Sequence, residues 1–124
     1  MDIDTAVKGY FEKRKELERA WSMPSKLSET NLKLAAYLSY IGDSVGQRKE
    51  EYEAKRAKAY LTHLNSGKSA SNAENLARGE TAELRGEIAK LDLMIKTGLN
   101  LNTNAQSHLR VLENEARNQT KVDL

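Results

Sequence analysis

The chain has 124 residues, with one proline, no cysteine, seven aromatic residues and a formal net charge of +2. Half of it is Ala, Leu, Glu, Lys or Arg, the composition of long or coiled helices, which argues against a β-sandwich or barrel. Without cysteine there is no disulfide, no thiolate nucleophile and no zinc site of the usual finger types.

Leu, Ile, Val and Phe make up only 25 residues, close to the level below which chains stay disordered, and the small net charge tips the balance toward folding. The first 25 residues carry ten charges and no apolar run, unlike a secretory signal. No stretch approaches the roughly 18 apolar residues of a membrane span. These features predict a soluble, cytoplasmic protein without membrane contact, folded as a single helical domain over residues 1–124.

The first predicted helix covers about residues 4–22, opened by a cap at Asp2 or Asp4. Ile3, Val7, Tyr10, Phe11, Leu17 and Trp21 form its apolar stripe, and Pro24 closes it by lacking an amide donor. The second covers about residues 28–65, from an N-cap at Ser28 to the breaker Asn65-Ser66-Gly67. Its stripe reads Leu34, Leu38, Ile41, Val45, Tyr52 and Ala59. Gly42 and Gly46 lie on one face, suited either to close backbone approach or to a kink.

The third covers about residues 70–118 and has the most regular pattern in the chain. Ala77, Leu84, Leu91, Gly98, Ala105 and Leu112 recur every seven residues, interleaved with Thr81, Ile88, Ile95, Asn102, Leu109 and Ala116. Thr97 to Asn104 is rich in poor helix formers, yet the stripe resumes in register beyond it, which predicts a continuous helix. Ser69 or Ser71 serves as its N-cap, and Ser71 with Glu74 matches a capping box.

A connection as short as Asn65–Ser69 makes the two long helices antiparallel, with residues near 28 facing residues near 106. The predicted fold is all-α: a long, coiled-coil-like helical hairpin with the shorter N-terminal helix packed on one end. The remaining two-helix arm, roughly residues 48–85, is too thin to cover its own apolar residues Tyr52, Tyr60, Leu61, Leu64 and Leu76, so a homodimer or larger assembly is expected. Seam residues Leu84, Ile88, Leu91, Ile95, Leu109 and Leu112 would hold that assembly, and Tyr52, Tyr60 and Leu64 would form a partner surface.

Candidate chemistry is sparse. Ser66-Gly67-Lys68-Ser69 matches the end of a phosphate-binding loop, but the full motif requires glycine where Thr62 stands and a preceding strand. Turn chemistry accounts for these residues without a nucleotide. His63 and His108 have no histidine or carboxylate at the three- or four-residue spacing of a helical metal site. No catalytic residue, cofactor site or metal site is expected, and catalysis is disfavoured. Residues 48–68 carry a local charge of +3, so Lys55, Arg56, Lys58 and Lys68 are candidate phosphate contacts, opposed by Glu50, Glu51 and Glu53.

The runs Gly67-Lys68-Ser69, Ala73-Glu74-Asn75-Leu76-Ala77-Arg78, Thr81-Ala82-Glu83-Leu84 and Ala105-Gln106-Ser107-His108-Leu109-Arg110-Val111-Leu112 resemble those of small helical proteins encoded by tailed bacteriophages. Such proteins often lie near replication and recombination genes. The resemblance implies an accessory factor of phage DNA metabolism, or an inhibitor of a host factor, acting in the bacterial cytoplasm. Together these readings predict a non-enzymatic, oligomeric protein-interaction factor, with a nucleic-acid-binding accessory protein as the alternative.

Overall fold

A computed structural model describes the backbone of residues 1–123 and the side chains of residues 1–119. It is all-α, with α1 (Ile3–Arg19), α2 (Pro24–Asn65), α3 (Ala70–Glu80) and α4 (Ala82–Asp123). No helix among the described residues is long and apolar enough to cross a membrane. The chain gathers into two compact units, Met1–Ile41 with Met94–Leu124, and Gly42–Leu93.

Three boundaries differ from those read in the sequence. α1 stops at Arg19, because the amide of Ala20 turns back to the carbonyls of Glu16 and Glu18. Pro24 does not terminate α1 but opens α2, ahead of the predicted Ser28. A proline suits the first position of a helix, where its missing amide would have no intrahelical acceptor and its fixed φ is already helical. The third predicted helix is two helices. Its break falls at Thr81, while the suspect stretch from Thr97 to Asn104 is helical throughout.

At Thr81 the backbone leaves the helical region, with φ −105° and ψ 7°, and the amide points back to Ala77 and Gly79. The hydroxyl also donates to the Ala77 carbonyl at 2.8 Å. A β-branched residue whose hydroxyl competes for the helix carbonyls is a weak point in a helix. The carbonyl of Thr81 then accepts the Arg85 amide and α4 begins.

In the first unit, α1 packs with the early part of α2 and the later part of α4 around Tyr10, Leu17, Leu27, Leu34, Leu38, Ile41 and Ala105, all buried. Each fully buried leucine or isoleucine contributes about 1.5–3 kcal/mol of transfer free energy. α2 and α4 are antiparallel here: the Asn31 side-chain amide donates to the Asn102 carbonyl at 3.3 Å, and Gly98 sits against Leu38. This is the register expected from the turn. Asn31 and Asn102 are themselves buried, and no hydrogen bond reaches either side-chain carbonyl oxygen among the described residues.

The α1–α2 connection is fixed by His108 of α4. Its ring stacks on Trp21, with centroids 4.4 Å apart and planes 7° apart. His108 Nε2 lies 2.7 Å from the Trp21 carbonyl, so Nε2 carries the hydrogen and donates. Gly9 of α1 leaves room for the ring of Tyr37, which a β-carbon would overlap.

α1 is capped by Asp2, which accepts the Thr5 amide at 2.8 Å; that bond holds the Asp2 carboxyl below its ordinary pKa. Glu16 is lowered by its bond to Lys13, which is raised in turn, and Glu29 is lowered by its bond to Lys33. Carboxylates with depressed folded values stabilise above the ordinary carboxylate pKa of about 4 and lose that contribution as pH falls through the lowered values. Thermal midpoints followed by circular dichroism are therefore expected to be level near neutrality and to decline below about pH 4. Asp2→Asn, which keeps a cap acceptor, should reduce the decline. A midpoint that rises on acidification would contradict this assignment.

Candidate interaction surface

The second unit holds every basic and partner-surface residue singled out in the sequence, and it is thinly packed. Its buried apolar residues are Val45, Ala73, Ala77, Ile88 and Leu91. α2 runs antiparallel to α3 and early α4. Arg48 reaches Glu87, Leu84 lies in one groove with Glu51, and Ala77 lines another with Ala57 and Tyr60.

The turn joining α2 to α3 is built as its composition dictates. Gly67 adopts φ +92°, the left-handed conformation that only glycine takes without strain. The Lys68 amide bonds the His63 carbonyl and the Gly67 amide bonds the Leu64 carbonyl, the double closure of a Schellman turn. Ser66 donates its hydroxyl to the His63 carbonyl, and Ser69 accepts the Asn72 amide as the α3 N-cap. Of the two serines considered for that role, the fold uses Ser69. Both hydroxyls of the segment that resembles a phosphate loop are thus engaged in ending one helix and starting the next.

The basic residues are largely committed to carboxylates. Lys55 pairs with Glu51 at 2.7 Å along α2, lowering the pKa of Glu51. Arg56 crosses to Glu74 of α3 at 2.9 Å, and Lys49 crosses to Asp92 of α4 at 3.3 Å. His63 Nε2 lies 2.7 Å from a Glu80 carboxylate oxygen. Lys58 and Lys68 make no ion pair among the described residues. The second unit contains nine Lys or Arg and nine Asp or Glu residues, so the positive charge of residues 48–68 is balanced within it, by α3 and early α4 together with Asp43.

Tyr52, Tyr60 and Leu64 are half-buried, while Leu61 and Leu76 are 57% and 41% exposed. Of the five apolar residues expected to be left uncovered on this arm, Leu61 and Leu76 are thus the more exposed. Of the seam residues, Ile88 and Leu91 are buried within the single chain, and Leu84, Ile95, Leu109 and Leu112 are half-buried. The heptad stripe of α4 is therefore already occupied in part by the chain's own packing. Leu93, Leu99 and Val111, outside that stripe, are exposed.

No protein-family profile, curated protein or solved structure matches this chain. No group of three or more His, Cys, Asp or Glu side chains among the described residues is placed to hold a metal ion. The two histidines serve different structures, His63 in a contact with Glu80 of the second unit and His108 in the Trp21 stack of the first.

Proposed function

We propose that this protein is a non-enzymatic helical interaction factor that binds another protein through the second unit, at Tyr52, Tyr60 and Leu64 together with Leu61 and Leu76. The observation that carries this reading is the neutralised second unit, in which Arg56 is spent on Glu74 while Leu61 and Leu76 face solvent. A surface that is uncharged on balance and locally apolar suits a protein partner better than a phosphate backbone. The half-buried Leu84, Ile95, Leu109 and Leu112, with exposed Leu93, Leu99 and Val111, support self-association along α4. The resemblance to phage helical proteins favours a cytoplasmic setting in an infected bacterium, with a phage or host protein as the partner.

Binding to nucleic acid through Lys55, Arg56, Lys58 and Lys68 is the second reading, and it rests on the unpaired Lys58 and Lys68. Fluorescence anisotropy with single- and double-stranded DNA and RNA at low salt separates the two. The protein-interaction reading predicts no saturable binding. Saturable binding whose salt dependence weakens by about one unit of log–log slope on removing Lys58 or Lys68 would replace it with the second. Sedimentation is expected to show a dimer or larger species at micromolar concentration, and a monomer there would remove the self-association. For the partner surface, affinity recovery from the native host should lose its specific protein when Leu61 and Leu76 are changed to Ser.

A further inference from the structure

α3 stands apart from the other helices in how it is held. Only Ala73 and Ala77 of its eleven residues are buried, and its one large apolar residue, Leu76, is 41% exposed. Two grooves flank its contact with α2. One is lined by Glu53, Arg56, Ala57, Tyr60, Glu74 and Ala77, the other by Lys55, Lys58, Ala59, Thr62, His63, Glu80 and Thr81. The apolar part of the two linings is small: Ala57, Tyr60 and Ala77 in one, Ala59 in the other. Beyond it, α3 is tied to α2 through Arg56–Glu74 and His63–Glu80, both with exposed carboxylates.

Both ends of α3 are articulated. The N-terminal end follows the Schellman turn at Gly67, and the C-terminal end is the break at Thr81, where the backbone is already non-helical. An eleven-residue helix containing Ser71, Asn72, Asn75 and Gly79 is too short and too poor in helix formers to persist in water on its own. Detachment from α2 is therefore coupled to unwinding, and the entropy released offsets the small apolar area that α3 buries.

We propose that α3 is a hinged strap: it leaves α2 and unwinds as one cooperative segment between Gly67 and Thr81 while the rest of the chain stays folded. The open state further bares Ala59 and Tyr60 of α2, which line the two grooves, and the strength of the Arg56–Glu74 ion pair and the His63–Glu80 contact sets its population. Undocking needs no partner, so it is tested independently of whether the surface binds another protein.

Hydrogen exchange by mass spectrometry on the full chain reads it directly. Amides of residues 73–80 are expected to exchange at least about ten-fold faster than those of residues 31–41, in the first unit. Raising the salt from about 20 mM to about 500 mM should speed exchange in 73–80 several-fold and leave 31–41 unchanged, since exposed pairs are screened. Glu74→Gln with Glu80→Gln should give the fast rate at low salt and abolish the salt response. The exchanged pair Arg56→Glu with Glu74→Arg should restore slow exchange relative to Arg56→Glu alone. All four chains keep the buried residues, so they remain folded. Equal protection in 73–80 and 31–41, or exchange in 73–80 indifferent both to salt and to the glutamine variants, would overturn the proposal.

Discussion

Gly98→Ala is expected to lower the free energy of unfolding by about 1–3 kcal/mol, the usual cost of forcing an extra methyl into a filled core. A β-carbon at Gly98 would overlap both methyl carbons of Leu38, which is only 3% exposed, so the leucine must shift within the packed interior. On helix propensity alone the change would be favourable by up to about 1 kcal/mol, so the sign of the result discriminates between packing and propensity. Gly46→Ala and Gly86→Ala are the controls. A β-carbon at either meets nothing within 4 Å, and both variants should be more stable than the parent. Urea unfolding followed by circular dichroism measures all three, and a stabilised Gly98→Ala would show that α4 is not pressed against α2 at this point.

Leu38→Ala should cost about 2–5 kcal/mol by the same measurement, through lost burial and the cavity left behind. The two sites share one space, so their effects will not add. In the double variant the new methyl at residue 98 enters the volume vacated by Leu38, and the total loss should fall short of the summed single losses by about 0.5–3 kcal/mol. Strict additivity would mean that residues 38 and 98 do not touch.

The register of the helices was legible because it depends on counting. In the predicted register from Ala77 to Ala116, every heptad position as far as Leu112 is buried or half-buried and the last, Ala116, is exposed, and the predicted facing of residues near 28 and 106 is realised in the Asn31–Asn102 contact. Gly67 and Ser69 were legible for a different reason: the left-handed turn and the N-cap each need a specific local chemistry. Thr81 was not, because it occupies a seam position and fits the seven-residue pattern while breaking the backbone. Its apolar periodicity continues across the break, so the pattern carries no trace of it.

The fate of the basic arm was hidden in the same way. Local spacing reveals Lys55 with Glu51, four residues apart on one helix, but the partners of Arg48, Lys49 and Arg56 come from helices later in the chain. A charge count over a window of sequence treats those cations as free. Only the fold supplies Glu87, Asp92 and Glu74. The His108–Trp21 stack spans 87 residues and had no local signal; the helical register placed His108 in the later α4 segment that packs near α1.

Asn31 and Asn102 do little to hold the chain together, yet they discriminate among ways of folding it. Both lie in one layer of the contact, where the Asn31 amide meets the backbone carbonyl of Asn102. In a register slipped by one heptad, Asn31 would lie against Ile95 or Leu109 and Asn102 against a different layer, so two layers of the seam would each carry an amide in place of one. Aliphatic residues at both positions would remove that difference and leave the stripe nearly indifferent to sliding. Gathering the two amides into a single layer thus makes one alignment of α2 and α4 recognisably correct among several that bury similar amounts of leucine.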